Sequence, residues 1–336
     1  MQFVAGDILT TDGLQKGYIG FQNKTIIETG RGTCPRKPVA HGIIVPSFVN
    51  AHTHIGDSFI RNKNMELPKN IDELVAPPNG LKHKLLNETT EEELIQGMEE
   101  SIEVMIKTGT NMFCDFREGG MLGVYQLIKA MELWPVSSVI LSRPVNMKYD
   151  KKEVDLLLAD SDGIGISAIS DWEYPELEKI AKHVKKKKKI FALHASEQKR
   201  ENIDLILNLK PDFLVHMIKA DESALRRVKD NNIPIVVCPR SNSFYDLKPD
   251  LDLMKKTGVQ ILLGTDNAML NMPDVLEEIR YMKKNYDTFS TIELLKMATY
   301  DARKVLNLDC NILGLNSRAE FIVLDEKTLK PMYISI

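Results

Sequence analysis

At 336 residues the chain is long enough for one barrel-sized core of about 250 residues with an attachment. With 43% hydrophobic and 27% charged residues it has the composition of a globular enzyme, and a formal charge of -3 gives no reason to expect nucleic acid or an acidic membrane surface as partner. No apolar run approaches the roughly 18 residues of a membrane span, no basic and apolar leader is seen at Met1–Asp7, and Cys34, Cys114, Cys238 and Cys310 are too scattered for a zinc ribbon or disulfide framework. A cytoplasmic protein is the expectation.

In chain order, residues 1–42 read as short strands around Phe3-Val4, Ile8-Leu9, Tyr18–Phe21 and Thr25–Ile27, punctuated by glycines. The apolar residues Ile43-Ile44-Val45 and Phe48-Val49 read as one buried strand ending in His52-Thr53-His54. A segment over about 55–90, interrupted by Pro68, Pro77-Pro78 and Gly80, is expected to be a lid or binding loop. Beyond it, strands and helices alternate. Helices are expected over 90–107 (capped by Thr89 or Thr90), 121–132, 151–159, 175–187, from the fifth strand to about Leu209, and over 221–229, 248–256, 274–285 and 290–306. Strands are expected at 111–115, 136–141, 163–169, 190–194, 213–216, 233–238 and 260–266. The tail from Arg318 to Asp325 is again strand-like.

Eight apolar strands alternating with helices predict an α/β fold, a parallel (β/α)8 TIM barrel. An open doubly wound sheet is the alternative. The barrel is favoured because no glycine-rich phosphate loop follows the first strand and histidines end strands far apart in sequence. The termini, residues 1–42 plus 307–336, are expected to form a small sandwich-like composite β domain beside a barrel of residues 43–306.

In extended backbone, residues i and i+2 share a face, so His52 and His54 can reach one ion from the end of the first strand. His194 ends the fifth strand, His216 the sixth and Asp266 the eighth. Such ends converge on one face of a barrel, where active sites sit. Imidazoles with a carboxylate suit zinc or another divalent transition metal that keeps a place for water. His183, within a lysine-rich helix, is expected to face solvent, and His41 and His83 to be surface or packing residues.

The pieces Pro46-Ser-Phe-Val-Asn-Ala-His52-Thr-His54, His194-Ala-Ser-Glu197, His216, Cys238-Pro-Arg-Ser-Asn242 and Gly264-Thr-Asp266-Asn267 together resemble the amidohydrolase superfamily, specifically its cytosine deaminase/chlorohydrolase-like branch. The resemblance spans nearly the whole chain. It implies that His52, His54, His194 and Asp266 hold one divalent metal, zinc first and Fe2+ second. It also implies that Glu197 shuttles protons and that His216 orients water and substrate, with Asp266 accepting a hydrogen bond from the metal-activated water. The fourth strand offers Ser167-Ala-Ile-Ser170-Asp171 and no bridging lysine, which points to a single metal.

The implied activity is hydrolytic deamination of a nucleobase, nucleoside or related N-heterocycle, neutral or anionic. An amide, cyclic-amide or halide hydrolase using the same site is the second reading, and an inactive barrel kept as a binding protein the third. Arg117, Arg143 and Arg240 follow strands and are candidates for an anionic substrate group; for them, salt bridges to loop acids such as Asp115 and Glu118 are the competing reading. Arg61 and Asn242 are further substrate candidates, with a turn position as the alternative for Asn242. Homo-oligomerisation is left open.

Overall fold

The computed structural model describes residues 1–336. Eight strands form a parallel barrel: Phe48–His54, Thr110–Arg117, Ser137–Ser142, Gly163–Ile166, Ile190–Ala195, Phe213–His216, Ile235–Val237 and Ile261–Leu263. The last strand does not close the barrel by itself. It turns at Gly264-Thr265, and the two-residue strand Asp266–Asn267 then pairs in parallel with Thr53 and His54. Asn50 fastens this seam, donating to the Thr265 hydroxyl (2.7 Å) and accepting from the Thr265 amide (3.1 Å). Gly264 is dictated by the closeness of approach: a Cβ there would lie 2.7 Å from the His52 Cβ and 2.9 Å from its backbone N and O.

The apolar run before His52 is two strands. Ala40–Pro46 belongs to a six-stranded sheet, and Pro46-Ser47 carries the chain into the barrel strand Phe48–His54. Proline lacks the N–H that a continuous ladder would need. The sheet's order is Pro331–Ser335, Phe321–Leu324, Ala40–Pro46, Gln2–Thr10, Gly13–Gln22 and Thr25–Arg31, so both termini meet in it. Val4, Ile19, Ile44, Phe321 and Val323 are fully buried against one another there. The expected junction at 42/43 falls inside one of its strands.

Two expected helices differ and one helix was not expected. The fifth strand is followed by an irregular stretch, and its helix covers only Ile203–Asn208. Residues 290–306 are two helices, Thr291–Met297 and Tyr300–Val305, the first opened by a Ser290/Glu293 capping box. Pro239–Phe244, directly after the seventh strand, is a helix absent from the sequence reading. Thr90 caps the helix Glu91–Lys107 through the Glu93 amide. His183 is buried, 8% exposed, and correction of its expected solvent position has a clear cause: its Nε2 lies 3.1 Å from Asp155 and its Nδ1 3.3 Å from the Tyr149 hydroxyl.

The 55–90 segment folds over the barrel mouth as short helices, Phe59–Asn62, Ile71–Leu74 and Leu81–Glu88. Phe59, Ile60 and Leu74 pack with Tyr245 and Met269, which pins the segment to loops after the seventh and eighth strands. No helix is long and apolar enough to cross a membrane.

Candidate active site

The strand ends bring together four nitrogen-bearing rings and one carboxylate. His194 Nε2 is 3.2 Å from both His52 Nε2 and His54 Nε2. Asp266 Oδ1 lies 3.3 Å from His52 Nε2 and 3.6 Å from His54 Nε2. Ligating atoms of His52, His194, His216 and Asp266 all lie within 4.8 Å of one another. His54, whose contacts are as short, belongs to the same knot. Phe116 forms its floor, with its ring centroid 4.5 Å from that of His52 and 5.1 Å from that of His194.

Hydrogen bonds on the far side of each ring decide which nitrogen faces inward. His194 Nδ1 donates to the Ile166 carbonyl at 2.9 Å, so its Nε2 lone pair points into the knot. His54 Nδ1 sits 3.1 Å from both the Phe116 carbonyl and Glu118 Oε1, with the same result. Burial, and for His54 the nearby Lys82, hold these imidazoles neutral: His54 falls to about 3, and His194 lies well below its ordinary value. Inward lone pairs about 3.2 Å apart repel unless a cation lies among them. That separation is close to the edge of a tetrahedron with metal–nitrogen distances of about 2.0–2.1 Å. His52, His54, His194 and Asp266 thus make an N3O donor set that fits one divalent transition ion.

His216 differs from the other three. Asn242 Nδ2 donates to its Nδ1 at 3.2 Å, which leaves the hydrogen on Nε2 and makes the inward edge a donor. The same Asn242 amide donates to Glu197 Oε1 at 3.0 Å, and that oxygen lies 3.5 Å from His216 Nε2. Burial, and then the Asp266 charge, push the Glu197 carboxyl well above its ordinary range, with the Asn242 hydrogen bond acting the other way. Burial lowers His216 to about 4. Asp266 is oriented by Ser241, whose hydroxyl donates to Oδ2 at 2.6 Å. His216 and Asp266 adopt left-handed backbone, φ 73° and 61°, a conformation that costs energy in non-glycine residues.

A cleft of about 840 Å3, counting its open mouth, rises from this knot. Glu197, Arg143, Asp171, Lys199 and Tyr245 line it, and Ile71, Val75 and Pro77 of the covering segment form one side.

The arginines divide. Arg143 lies in the cleft and makes no ion pair or side-chain hydrogen bond; burial lowers its pKa, while Glu118 and Asp171 act in the opposite direction. Arg117, the last residue of the second strand, is 2% exposed and bound to Glu118 at 3.2 Å and Asp115 at 3.6 Å, so the salt-bridge alternative describes it. Its guanidinium fills the space over Gly56, where a Cβ would meet it at 1.7 Å. Arg240 turns away to the Met272 and Asp274 carbonyls, Asn271 and Glu278, and Arg61 donates to the Ala268 carbonyl. Neither reaches the cleft wall. Asn242 holds Glu197 and His216.

Sequence reading missed Ser241, Phe116 and Lys82. Lys82, 2% exposed, reaches from the covering segment to Glu118 Oε1 (2.6 Å), Asn267 Oδ1 (3.2 Å) and Asp57 Oδ2 (3.3 Å). Burial alone would raise Glu118, but Lys82 and His54 more than offset it and hold the carboxylate well below its ordinary range. A lysine among apolar and polar lid residues gave no signal of this.

A (β/α)8 barrel with imidazoles and a carboxylate gathered at the carboxyl ends of its strands defines a class of barrel hydrolases. Residues 43–335 match the amidohydrolase family, and the chain belongs to it. It is 35% identical over 326 residues to an uncharacterized protein of Methanocaldococcus jannaschii, a match covering 90% of this chain and 81% of that one. It is 26% identical over 365 residues to the 5-methylthioadenosine/S-adenosylhomocysteine deaminase of Thermoanaerobacter pseudethanolicus, covering 96% and 80%. The crystal structure of an adenosine deaminase from Xanthomonas campestris with bound zinc shares the fold, with a TM-score of 0.76 at 15% identity over 96% of this chain and 84% of that one.

Proposed function

We propose that the protein is a cytoplasmic, single-metal deaminase that hydrolyses the exocyclic C–N bond of an aminated N-heterocycle, a nucleobase, nucleoside or relative. The observation that carries this is the Glu197–Asn242–His216 group, joined within itself at 3.0–3.5 Å and set beside the His52/His54/His194/Asp266 knot, with a His216 ring nitrogen within 4.8 Å of the ligating atoms of His52, His194 and Asp266. Deaminase-named relatives support the leaving group. Zinc is the ion the donors suit first, Fe2+ the second. Bound there, a divalent cation supplies a Lewis acid that brings the pKa of a coordinated water towards 7.

The side chains supply the rest. Water oxygen bonds to the amidine carbon as Glu197 delivers its proton to the ring nitrogen. Asp266 accepts a proton from the water and His216 Nε2–H donates to the developing oxyanion. The C–N bond to the exocyclic amine then breaks. The adduct's hydroxyl proton passes to Glu197 and from it to the departing nitrogen as the ring carbonyl forms and ammonia leaves, and the proton held by Asp266 then returns to Glu197 to restore the starting state. Arg143, the one cleft arginine without a protein partner, suits a carboxylate or phosphate on the substrate.

The test is ammonia release across aminopurines, aminopyrimidines and their nucleosides, with metal analysis of the same samples. Glu197→Gln is expected to lose turnover by at least a hundredfold and to keep its metal. Retained turnover would remove Glu197 from this role, and release of halide or of a carboxylate without ammonia would replace deamination with the other hydrolytic reading.

A further inference from the structure

Among the three ring ligands of the knot, only His54 backs onto an ionised group. His194 Nδ1 meets a backbone carbonyl, and His52 Nδ1 is buried without any partner. His54 Nδ1 meets Glu118 Oε1 at 3.1 Å. That carboxylate is itself held from two directions, by Lys82 on Oε1 at 2.6 Å and by Arg117 on Oε2 at 3.2 Å. The chain around it has no slack. Gly119 and Gly120 take left-handed backbone (φ 86° and 59°), and a Cβ on Gly123 would lie 1.9 Å from the Glu118 carbonyl oxygen.

We propose that Glu118 is a positioning residue for His54, a carboxylate that fixes the ring's tautomer and strengthens Nε2 as a metal ligand, held in register by Lys82 from the covering segment. The inference rests on His54 being a ligand, as set out under the proposed function. A carboxylate behind a ligating imidazole fixes its orientation and raises its basicity, and loss of such a partner costs roughly ten- to hundredfold in metal affinity. Lys82 lies 2.6 Å from Glu118 Oε1 and 3.3 Å from Asp57 Oδ2 and donates to Asn267 Oδ1 at 3.2 Å, so its charge is turned into the assembly behind His54. Through Lys82 the covering segment and the ligand shell are one mechanical unit.

The structure also contains the rival explanation. The Phe116 carbonyl lies the same 3.1 Å from His54 Nδ1 and is able to hold the tautomer without Glu118. The experiment is zinc affinity, measured by competition with a chromogenic chelator on metal-stripped protein, together with the visible spectrum of the cobalt-loaded form and the unfolding midpoint. Glu118→Gln is expected to bind zinc roughly ten- to hundredfold more weakly and to shift the cobalt spectrum. The double variant Glu118→Gln, Lys82→Met removes a cation and an anion together; it is expected to regain stability and to remain weak for zinc.

Zinc binding within threefold of wild type in Glu118→Gln overturns the proposal in favour of Phe116. Full recovery of affinity in the double variant overturns it as well, by showing that Glu118 merely balanced Lys82. If the single variant fails to fold, the charge-neutral double variant decides by the same criterion. A wild-type chain that takes up no divalent metal overturns the metal-centre reading and this inference with it, an outcome distinct from wild-type binding matched by the variants.

Discussion

Asn242→Ala tests whether one amide holds the two proton-handling groups together. The amide donates at 3.0 Å to Glu197 and at 3.2 Å to His216, while its Oδ1 is buried without a partner, so its worth lies in its two N–H groups. A hydrogen bond to a charged group contributes about 1.5–3 kcal/mol and one between neutral groups about 0.5–1.5 kcal/mol. If both are realised in the transition state the loss is about 2–4.5 kcal/mol, which at about 1.4 kcal/mol per tenfold lowers kcat by roughly 30- to 2,000-fold. His216, freed to place its hydrogen on Nδ1, would also lose the inward donor. None of the four proposed ligands has a hydrogen bond to Asn242, so metal content stays unchanged. The assay is ammonia release at saturating substrate beside metal analysis. A kcat within threefold of wild type would refute the relay, and a rise in KM with kcat intact would make Asn242 a substrate contact.

The remaining predictions concern charge, packing and specificity. Burial pushes Glu278 up to about 8, with Arg240 opposing and Asp266 and Asp274 adding to the effect. Its folded pKa is raised above the unfolded value, so its contribution is fully present below about pH 4.5 and is lost as pH rises through 8. Denaturant melts between pH 5 and 9 are expected to show wild type losing on the order of 3–5 kcal/mol more than Glu278→Gln; parallel curves would disprove it. Gly264→Ala forces a Cβ against His52, costing about 1–3 kcal/mol and weakening metal binding; unchanged melting and affinity would show that the seam relaxes freely. Arg143→Met is expected to raise KM about tenfold or more for anionic substrates and to leave neutral ones unaffected, and equal effects on both would remove the anion role.

The alternation of strands and helices was plain in the sequence because parallel barrel strands are buried on both faces and read as apolar runs. His52, His54, His194 and Asp266 were legible for the same reason: each interrupts an apolar run at its end. The limits were equally physical. Ile43–Val45 and Phe48–Val49 are both buried strands, and hydrophobicity alone does not say that they serve different sheets. Ser241 and Lys82 act through partners 25 and 185 residues away, Asp266 and Asn267, and no local pattern marks such pairs. Glu118 was visible only as a counter-ion for Arg117; its contact with His54 depends on how the first two strands sit side by side. The three flanking arginines looked alike in sequence, and only burial and partners separate Arg143 from Arg117 and Arg240.

Stability alone does not account for the charges behind the first strand. Asp57, Lys82, Asp115, Arg117 and Glu118 are each at most 7% exposed, yet desolvating an ion costs several kcal/mol and apolar side chains of similar volume commonly do as well or better. Burial pushes Asp57 up to about 7 despite Lys82 at 3.3 Å, so even within the cluster the ionic form is barely sustained. What the cluster does provide is direction. Asp115 accepts from the Ile55 amide at 2.8 Å and the Thr53 hydroxyl at 3.0 Å, and Asp57 accepts from the Met269 amide at 2.8 Å. Those bonds fix the backbone on both sides of His54 and tie it to the loop just beyond Asp266. An apolar core would fill the same volume but would leave the Phe116 carbonyl as the only polar group behind the ring. On the proposed metal-centre reading, the cost in desolvation is matched to the need to aim one ligating imidazole.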